Sequence, residues 1–196
     1  IVFDKTGTIT KGKPEVTDIY SKIKENYVLE IAASLEKLSE HPIAKAIVTR
    51  AQLKKYRDVK NFKVLRGRGV EGNIGSKKII IGNRTLMKER KINLNDFEHT
   101  VEEFERQGKT TMIVCENEKV IGVIAVADAV KDDSVKAISL LTSAHYKVVM
   151  ITGDNETTAR AIAEKVGISE VIANVMPEDK SKKVEELQKE GMVAFV

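Results

Sequence analysis

Three apolar, strand-favouring residues, Ile1, Val2 and Phe3, run without a break into Asp4, and Lys5-Thr6-Gly7-Thr8-Ile9-Thr10 follow. An uninterrupted apolar run is the pattern of a strand buried on both faces, which calls for a parallel sheet covered by helices. A strand of that kind delivers its last residue to the carboxyl edge of the sheet, where open α/β folds bind ligands. Aspartate is an anion at neutral pH and can attack phosphorus when a cation and oriented amides screen the repulsion. A lone Asp after a strand is more often a turn residue. The hydroxyls and glycine that follow Asp4 are what a phosphate-handling turn requires, so the stretch constrains both fold and chemistry.

The rest of the chain falls into two rhythms. Beyond the breaker cluster Lys11-Gly12-Lys13-Pro14, residues 15–20 alternate as a half-exposed strand. Helical spacing follows over 26–38 and 43–55, separated by Ser39-Glu40-His41-Pro42, because proline disfavours a helix before it and suits the first turn of the next. Short strands are expected at 61–65, 70–74 and 77–81, helices at 83–89 and 96–107, and a hairpin over 110–115 and 119–127. From Asp128 onward strands and helices alternate: helix 132–144, strand 147–151, helix 156–166, strand 171–173, helix 178–190, strand 192–196. The predicted fold class is α/β: a doubly wound parallel-sheet core, residues 1–14 and 128–196, carrying an inserted α+β domain of antiparallel sheet and helices, residues 15–127.

Composition excludes several classes. With 42% hydrophobic and 32% charged residues the chain is globular rather than disordered. A net charge of +4 with interspersed signs, 5% aromatic residues and no Trp argue against a nucleic-acid surface or a base-stacking platform. The single cysteine, Cys115, rules out an internal disulfide and Cys-pair metal sites. No apolar run reaches the ~20 residues of a membrane helix. The chain opens inside a strand and closes on the strand-like Met192-Val193-Ala194-Phe195-Val196, so it is expected to be a piece of something longer.

The run Asp4-Lys5-Thr6-Gly7-Thr8-Ile9-Thr10 resembles the phosphorylation motif of the P-type ATPases, although position 9 is Ile where Leu is usual. The resemblance implies that the α/β core is their haloacid dehalogenase-like phosphorylation domain and the insert their nucleotide-binding domain. It makes Asp4 the acceptor of the γ-phosphoryl group of ATP. It also gives Asp4 and the backbone carbonyl of Thr6 to a Mg²⁺ ion, with Lys5 part of the same catalytic motif. Many soluble phosphatases of this fold carry an acid where Thr6 stands; a threonine is no general acid or base, so an aspartyl-phosphate here should persist.

Thr152-Gly153-Asp154 follows the apolar run Val148-Val149-Met150-Ile151, and a hydroxyl plus a glycine amide beside a helix N-terminus can receive phosphate oxygens. Lys180, three residues after Pro177, matches the lysine the family uses to offset phosphate charge. Asp128 with Lys131 resembles the family's hinge-side Asp-x-x-basic element.

In the insert, Ser39-Glu40-His41-Pro42, five residues after Glu36, resembles the signature of the heavy-metal-transporting branch. That places Glu36 on the adenine amino group and His41 beside the purine. Gly67-Arg68-Gly69-Val70 matches a Gly-x-Gly-hydrophobic loop, and Gly82-Asn83 the element after the next hairpin. The implied cofactors are ATP and Mg²⁺. The implied partners are actuator and transmembrane domains of the same parent, with the transported ion, copper or silver ahead of zinc or cadmium, reaching only the membrane part. The implied location is the cytoplasmic side of an integral membrane protein. A Gly-Asp-Gly-x-Asn-Asp loop, which would add a second Mg²⁺ carboxylate, is expected beyond residue 196. Two other readings stay open at this point: a module that only binds nucleotide, and a free-standing phosphatase of the same fold.

Overall fold

The computed structural model describes residues 1–196. Its elements, in order, are β1 (Val2–Asp4), a turn at Lys5–Ile9, β2 (Thr10–Ser21), α1 (Glu25–Glu36), α2 (Pro42–Ala51), β3 (Val59–Leu65), β4 (Gly69–Ile74), β5 (Lys77–Gly82) and α3 (Arg84–Glu89). After a 3₁₀ turn at Asn95–Phe97 come α4 (Glu98–Arg106), β6 (Thr110–Glu116), β7 (Lys119–Val130), α5 (Ser134–Ser143), β8 (Val149–Ile151), α6 (Glu156–Val166), β9 (Glu170–Ile172) and, after a second 3₁₀ turn at Pro177–Asp179, α7 (Lys180–Gln188). The chain divides into two compact units. The first comprises Ile1–Lys13, Glu105–Gly108 and Asp128–Val196; the second comprises Pro14–Phe104 and Lys109–Ala127.

In the first unit β1, β8 and β9 form a parallel sheet in that order. On the far side of β1, Val2 N donates to Ala194 O, Asp4 N to Val196 O and Val196 N to Val2 O, at 2.8–3.0 Å. β1 is therefore interior, and the direction of winding reverses beside it, the place where doubly wound sheets form their ligand crevice. The apolar run of β1 and β8 is explained by cover on both faces. Met150 packs with Ile138 of α5 and Ala159, Ile162 and Val166 of α6, while Val2, Val149 and Ile151 pack with Val175 and the half-buried Val184 and Leu187 of α7.

In the second unit the sheet order is β2-β7-β6-β5-β4-β3, antiparallel between β3 and β7. Helices cover both faces here too. Ile79, Ile81, Val114 and Ile124 pack against Val28, Ile31 and Leu35 of α1 and Ile47 of α2. Ile80, Ile113, Cys115 and Val123 pack against Leu86 and Met87 of α3, Phe97 of the first 3₁₀ turn and Val101 of α4. That double cover is why Ile79-Ile80-Ile81 and Met112-Ile113-Val114-Cys115 read as continuous apolar runs although the strands are antiparallel.

Three expectations on elements change. Lys11-Gly12-Lys13-Pro14 does not interrupt the chain but lies inside β2. β2 is an edge strand, with a partner on one side only, which is the place in a sheet that tolerates a proline. The helix expected over 43–55 ends at Ala51, because Gln52 adopts a left-handed φ of 45°. The terminal strand reduces to a bridge between Val2 and Phe195.

Candidate active site

Asp4 is the last residue of β1, and its register partner is Ile151, the last residue of β8. Parallel pairing thus sets the turn after Asp4 and the turn after Ile151 side by side at one edge of the sheet. In the first turn Gly7 takes a φ of +84°, which a residue with a side chain rarely adopts, and this bends the chain back toward Thr10. Thr10, fully buried, closes the turn: its Oγ1 accepts from Gly7 N at 3.3 Å and donates to Asp128 Oδ2 at 2.6 Å. Asp128 also accepts from the amides of Gly12 at 3.1 Å and Lys13 at 3.0 Å. Asp128 therefore holds the chain that leaves the Asp4 turn.

The second turn is built from the backbone outward. Thr152 N donates to Ile172 O at 3.0 Å, and Val175 N to Thr152 O at 3.1 Å. Asp154 N donates to Thr152 Oγ1 at 3.1 Å, leaving the hydroxyl proton of this buried threonine available to another acceptor. Asn155 then caps α6, its Oδ1 accepting from Thr158 N at 2.9 Å, while its side-chain amide donates to Glu105 Oε1 at 3.1 Å. The positive end of an α6 dipole therefore stands directly behind Thr152-Gly153-Asp154.

Two ion pairs join these turns to each other and to α7. Lys180 Nζ lies 2.7 Å from Asp4 Oδ2, and Lys5 Nζ lies 2.6 Å from Asp154 Oδ2. The Lys5–Asp154 pair is the more enclosed, with side chains 10% and 15% exposed against 24% and 27% for Lys180 and Asp4. Asp4 Oδ1 is buried with no hydrogen-bond partner. A buried polar oxygen without a partner needs an explanation, and on a carboxylate whose other oxygen alone meets a lysine the natural one is a ligand that supplies positive charge. Thr6 and Gly7 are exposed beside it. Asp4, Lys5, Thr6, Thr152, Gly153, Asp154 and Lys180 are thus brought to one edge, across 176 residues of sequence between Asp4 and Lys180.

The second unit carries the other candidate residues in two groups. Gly69 of β4 pairs with Gly82 of β5 so closely that a Cβ on Gly69 would lie 2.0 Å from Ile81 O, and one on Gly82 would lie 2.4 Å from Arg68 O. Only glycine fits either position. Asn83 N donates to Arg68 O at 2.9 Å and Asn83 Nδ2 to Gly67 O at 3.0 Å, while its Oδ1 caps α3 through Leu86 N. Gly67, Gly69, Val70, Gly82 and Asn83 form a single corner.

Glu36 is the last residue of α1, and His41 caps α2, its Nδ1 accepting from Ile43 N at 3.2 Å. His41 is exposed, whereas Glu36 is only 3% exposed and makes no side-chain hydrogen bond or ion pair. Burial pushes its carboxyl up to about 7. Leu35, beside Glu36, shares an apolar cluster with Val70 of the glycine corner. Two open surface clefts, one around Tyr56 and Arg57 and one around Asn93 and Phe97, contain none of these residues.

Sequence reasoning did not find Glu105, a buried carboxylate on the α6 cap, or the mutual pairing of Lys5 and Asp154. The only advance signal was an asparagine following Thr152-Gly153-Asp154 at a helix start. No helix is long and apolar enough to cross a membrane.

A family model for haloacid dehalogenase-like hydrolases matches residues 1–196. The chain is 47% identical over 190 residues to a copper-exporting P-type ATPase of Staphylococcus saprophyticus, covering 96% of this chain and 24% of that protein. It is 44% identical over 198 residues to the copper-exporting P-type ATPase of Staphylococcus aureus, again covering 24% of it. The chain therefore spans about a quarter of the length of these relatives. Among solved structures, the catalytic domain of the CPx-ATPase CopB-B is 31% identical with a TM-score of 0.74, covering 99% of this chain and 68% of that one. A zinc-transporting PIB-type ATPase in its E2.Pi state is 36% identical with a TM-score of 0.65, covering 99% of this chain and 32% of that one. With its parallel-sheet unit, its antiparallel-sheet unit and these relatives, the chain belongs to the haloacid dehalogenase-like hydrolases and, among them, to the heavy-metal-transporting P-type ATPases, whose catalytic region it matches.

Proposed function

We propose that this chain is the ATP-binding and phosphorylation part of a membrane-embedded P-type ATPase that exports heavy-metal cations, with Asp4 as the phosphoryl acceptor. The observation that carries the proposal is the placement of Asp4 at the end of β1, with Lys180 Nζ at 2.7 Å from one carboxylate oxygen and the other oxygen buried without a partner. Residues 1–14 and 128–196 act as the phosphorylation domain and residues 15–127 as the nucleotide-binding domain.

In the transfer, a carboxylate oxygen of Asp4 forms a bond to the γ-phosphorus of ATP while the bond from that phosphorus to the β–γ bridging oxygen breaks and ADP departs. The nucleophile is already deprotonated, so no base is required; the demand is for positioning and charge neutralisation. Lys180 offsets charge on the transferred group. The Thr152 hydroxyl and the Gly153 amide donate to its oxygens, helped by the α6 dipole. Asp154 and Lys5 hold the two turns together. Asp4 and the Thr6 carbonyl suit Mg²⁺, which takes oxygen ligands, one or two carboxylates and substrate phosphates; when bound it draws charge from the phosphoryl oxygens. Thr6 offers no acid or base to a water molecule, so the aspartyl-phosphate survives until an actuator domain of the parent assists its hydrolysis.

In the other unit, Glu36 and His41 take the purine and the corner of Gly67, Gly69, Val70, Gly82 and Asn83 lets the nucleotide approach the backbone. The names of the two staphylococcal relatives support copper as the cargo. The test is labelling from γ-labelled ATP and Mg²⁺ in the full-length parent: acid-stable, hydroxylamine-labile label is expected, and Asp4→Asn should reduce it at least ~1000-fold, the scale of losing a covalent nucleophile. Undiminished label in Asp4→Asn would remove Asp4 from the role.

A further inference from the structure

We propose that Glu36 recognises adenine as the neutral carboxylic acid, its hydroxyl donating to a ring nitrogen while its carbonyl oxygen accepts from the exocyclic amine, so that ATP binding takes up a proton at this residue. The inference rests on the placement of the purine at Glu36 proposed above and adds the protonation state in which the side chain works.

The geometry of α1 leads there. Glu36 closes a twelve-residue helix, at the end where the backbone dipole disfavours an anion. Ala32 and Ala33, one turn back, are fully buried and apolar, and Leu35 beside it is equally buried. No cation compensates. On α1 and its C-terminal turn, Glu30 is engaged by Arg57, and Lys37 lies over the Tyr56 ring with Nζ 4.2 Å from its centroid. On α2, Lys45 and Arg50 are exposed, and His41 turns its Nδ1 to Ile43 N. On β3, Lys60 and Lys63 are exposed; on β4, Glu71 pairs with Arg90. On β5, Lys77 is bound to Tyr27, near the other end of α1, and to Glu116, while Lys78 alternates to the opposite face of the strand beside Glu118. Glu36 has neither a hydrogen bond nor an ion pair from any of them. Burial alone pushes its carboxyl up to about 7.

Adenine presents an acceptor nitrogen next to an amine donor on each of its two hydrogen-bonding edges. A neutral carboxyl presents a donor and an acceptor side by side and satisfies both. An ionised carboxylate is acceptor-only: one oxygen meets the amine and the other faces the lone pair of the ring nitrogen. In a buried site that mismatch is costly, since unpaired polar groups there are not rescued by water. A glutamine has a donor and an acceptor at every pH, which supplies the control.

The experiment is calorimetric titration of ATP into the wild type, Glu36→Gln and Glu36→Ala between pH 6 and pH 9. The ratio of wild-type to Glu36→Gln Kd cancels the titration of the ATP phosphates. That ratio should be flat at pH 6 and rise about tenfold per pH unit once Glu36 ionises, because only the protonated fraction is competent. Buffers of different ionisation enthalpy should report uptake of about one proton per ATP at pH 8 in the wild type, over and above the Gln variant. A ratio independent of pH, or proton release in the wild type, overturns the proposal while leaving the nucleotide at Glu36, provided Glu36→Ala weakens binding. Unchanged affinity in Glu36→Ala at every pH overturns the placement and the proposal together.

Discussion

The two units hold buried carboxyls in opposite ways. At the sheet edge of the first, Asp4 and Asp154 each face a lysine ammonium within 2.7 Å, and the turns around them are fixed by backbone hydrogen bonds. At the end of α1 in the second, Glu36 is more deeply buried than either and faces no counter-charge. The contrast matches the two kinds of chemistry proposed for the two units. A site that handles a migrating negative charge is built from ions already in place, so that little reorganisation is needed when charge moves. A site that reads the edge of a flat heterocycle needs a donor next to an acceptor, and a carboxyl supplies both only while it keeps its proton.

The difference can be broken most forcefully at Lys5. Removing one partner of an enclosed ion pair leaves a poorly solvated charge without its counter-ion, so Lys5→Ala should destabilise the first unit by about 3–5 kcal/mol. Replacing both partners, Lys5→Met with Asp154→Leu, should recover most of that loss, because the desolvation cost of the pair disappears with it. Urea unfolding of the two variants measures this. Equal losses in the single and the double variant would mean that Lys5 acts through packing of its stem rather than through its charge.

Glu36 should behave with the opposite sign. Its carboxyl is raised by burial from 4.5 to about 7 in the folded protein, so the fold holds the proton more tightly than the unfolded chain does. The resulting stabilisation is fully present below pH 4.5 and is lost as pH rises through about 7. Above that the ionised group costs on the order of 3 kcal/mol. Glu36→Gln has nothing to titrate, so its stability relative to wild type should grow by that amount between pH 4.5 and pH 8. Denaturant midpoints across that range provide the measurement. A constant difference would show that Glu36 is not desolvated in solution.

Much of the first unit was legible because one residue pattern carried both fold and site. An apolar run ending in Asp4 and another ending at Ile151 predict two parallel strands, and parallel register then brings Thr152 to the edge beside Asp4 without further information. The lysine partners were not legible in that way. Among 33 lysines and arginines, no local spacing says that Lys5 turns to Asp154 rather than to its own neighbour Asp4, and the motif resemblance alone singled out Lys180. Pro14 misled for a related reason: its local meaning is to break a strand, and only its place on a sheet edge, a long-range property, lets β2 run through it. The burial of Glu36 was equally hidden. A glutamate at the end of an amphipathic helix looks like any solvated charge until the sheet beneath is assembled.

The finest comparison between the units lies in two asparagines that do the same local task. Asn155 follows the Thr152–Asp154 turn and caps α6 through Thr158 N at 2.9 Å; Asn83 follows the Gly82 corner and caps α3 through Leu86 N at 3.0 Å. In each, the side-chain amide also ties the helix start to the neighbouring chain, Asn155 to Glu105 and Asn83 to the Gly67 carbonyl. Loss of a cap by Asn→Ala costs about 1 kcal/mol at either position. The two should diverge in the second bond. Glu105 is a buried carboxylate, and hydrogen bonds to charged groups are worth about 1.5–3 kcal/mol against ~1 for the neutral bond to an exposed carbonyl. Asn155→Ala should therefore exceed Asn83→Ala by about 1 kcal/mol in urea unfolding, and Asn155→Asp, which keeps the cap but turns a carboxylate oxygen in place of the amide donor toward Glu105, should cost at least the full bond of about 1.5–3 kcal/mol. If Asn155→Asp matches wild type, the bond to Glu105 contributes nothing, and the turn behind the candidate phosphate site is held by its backbone alone.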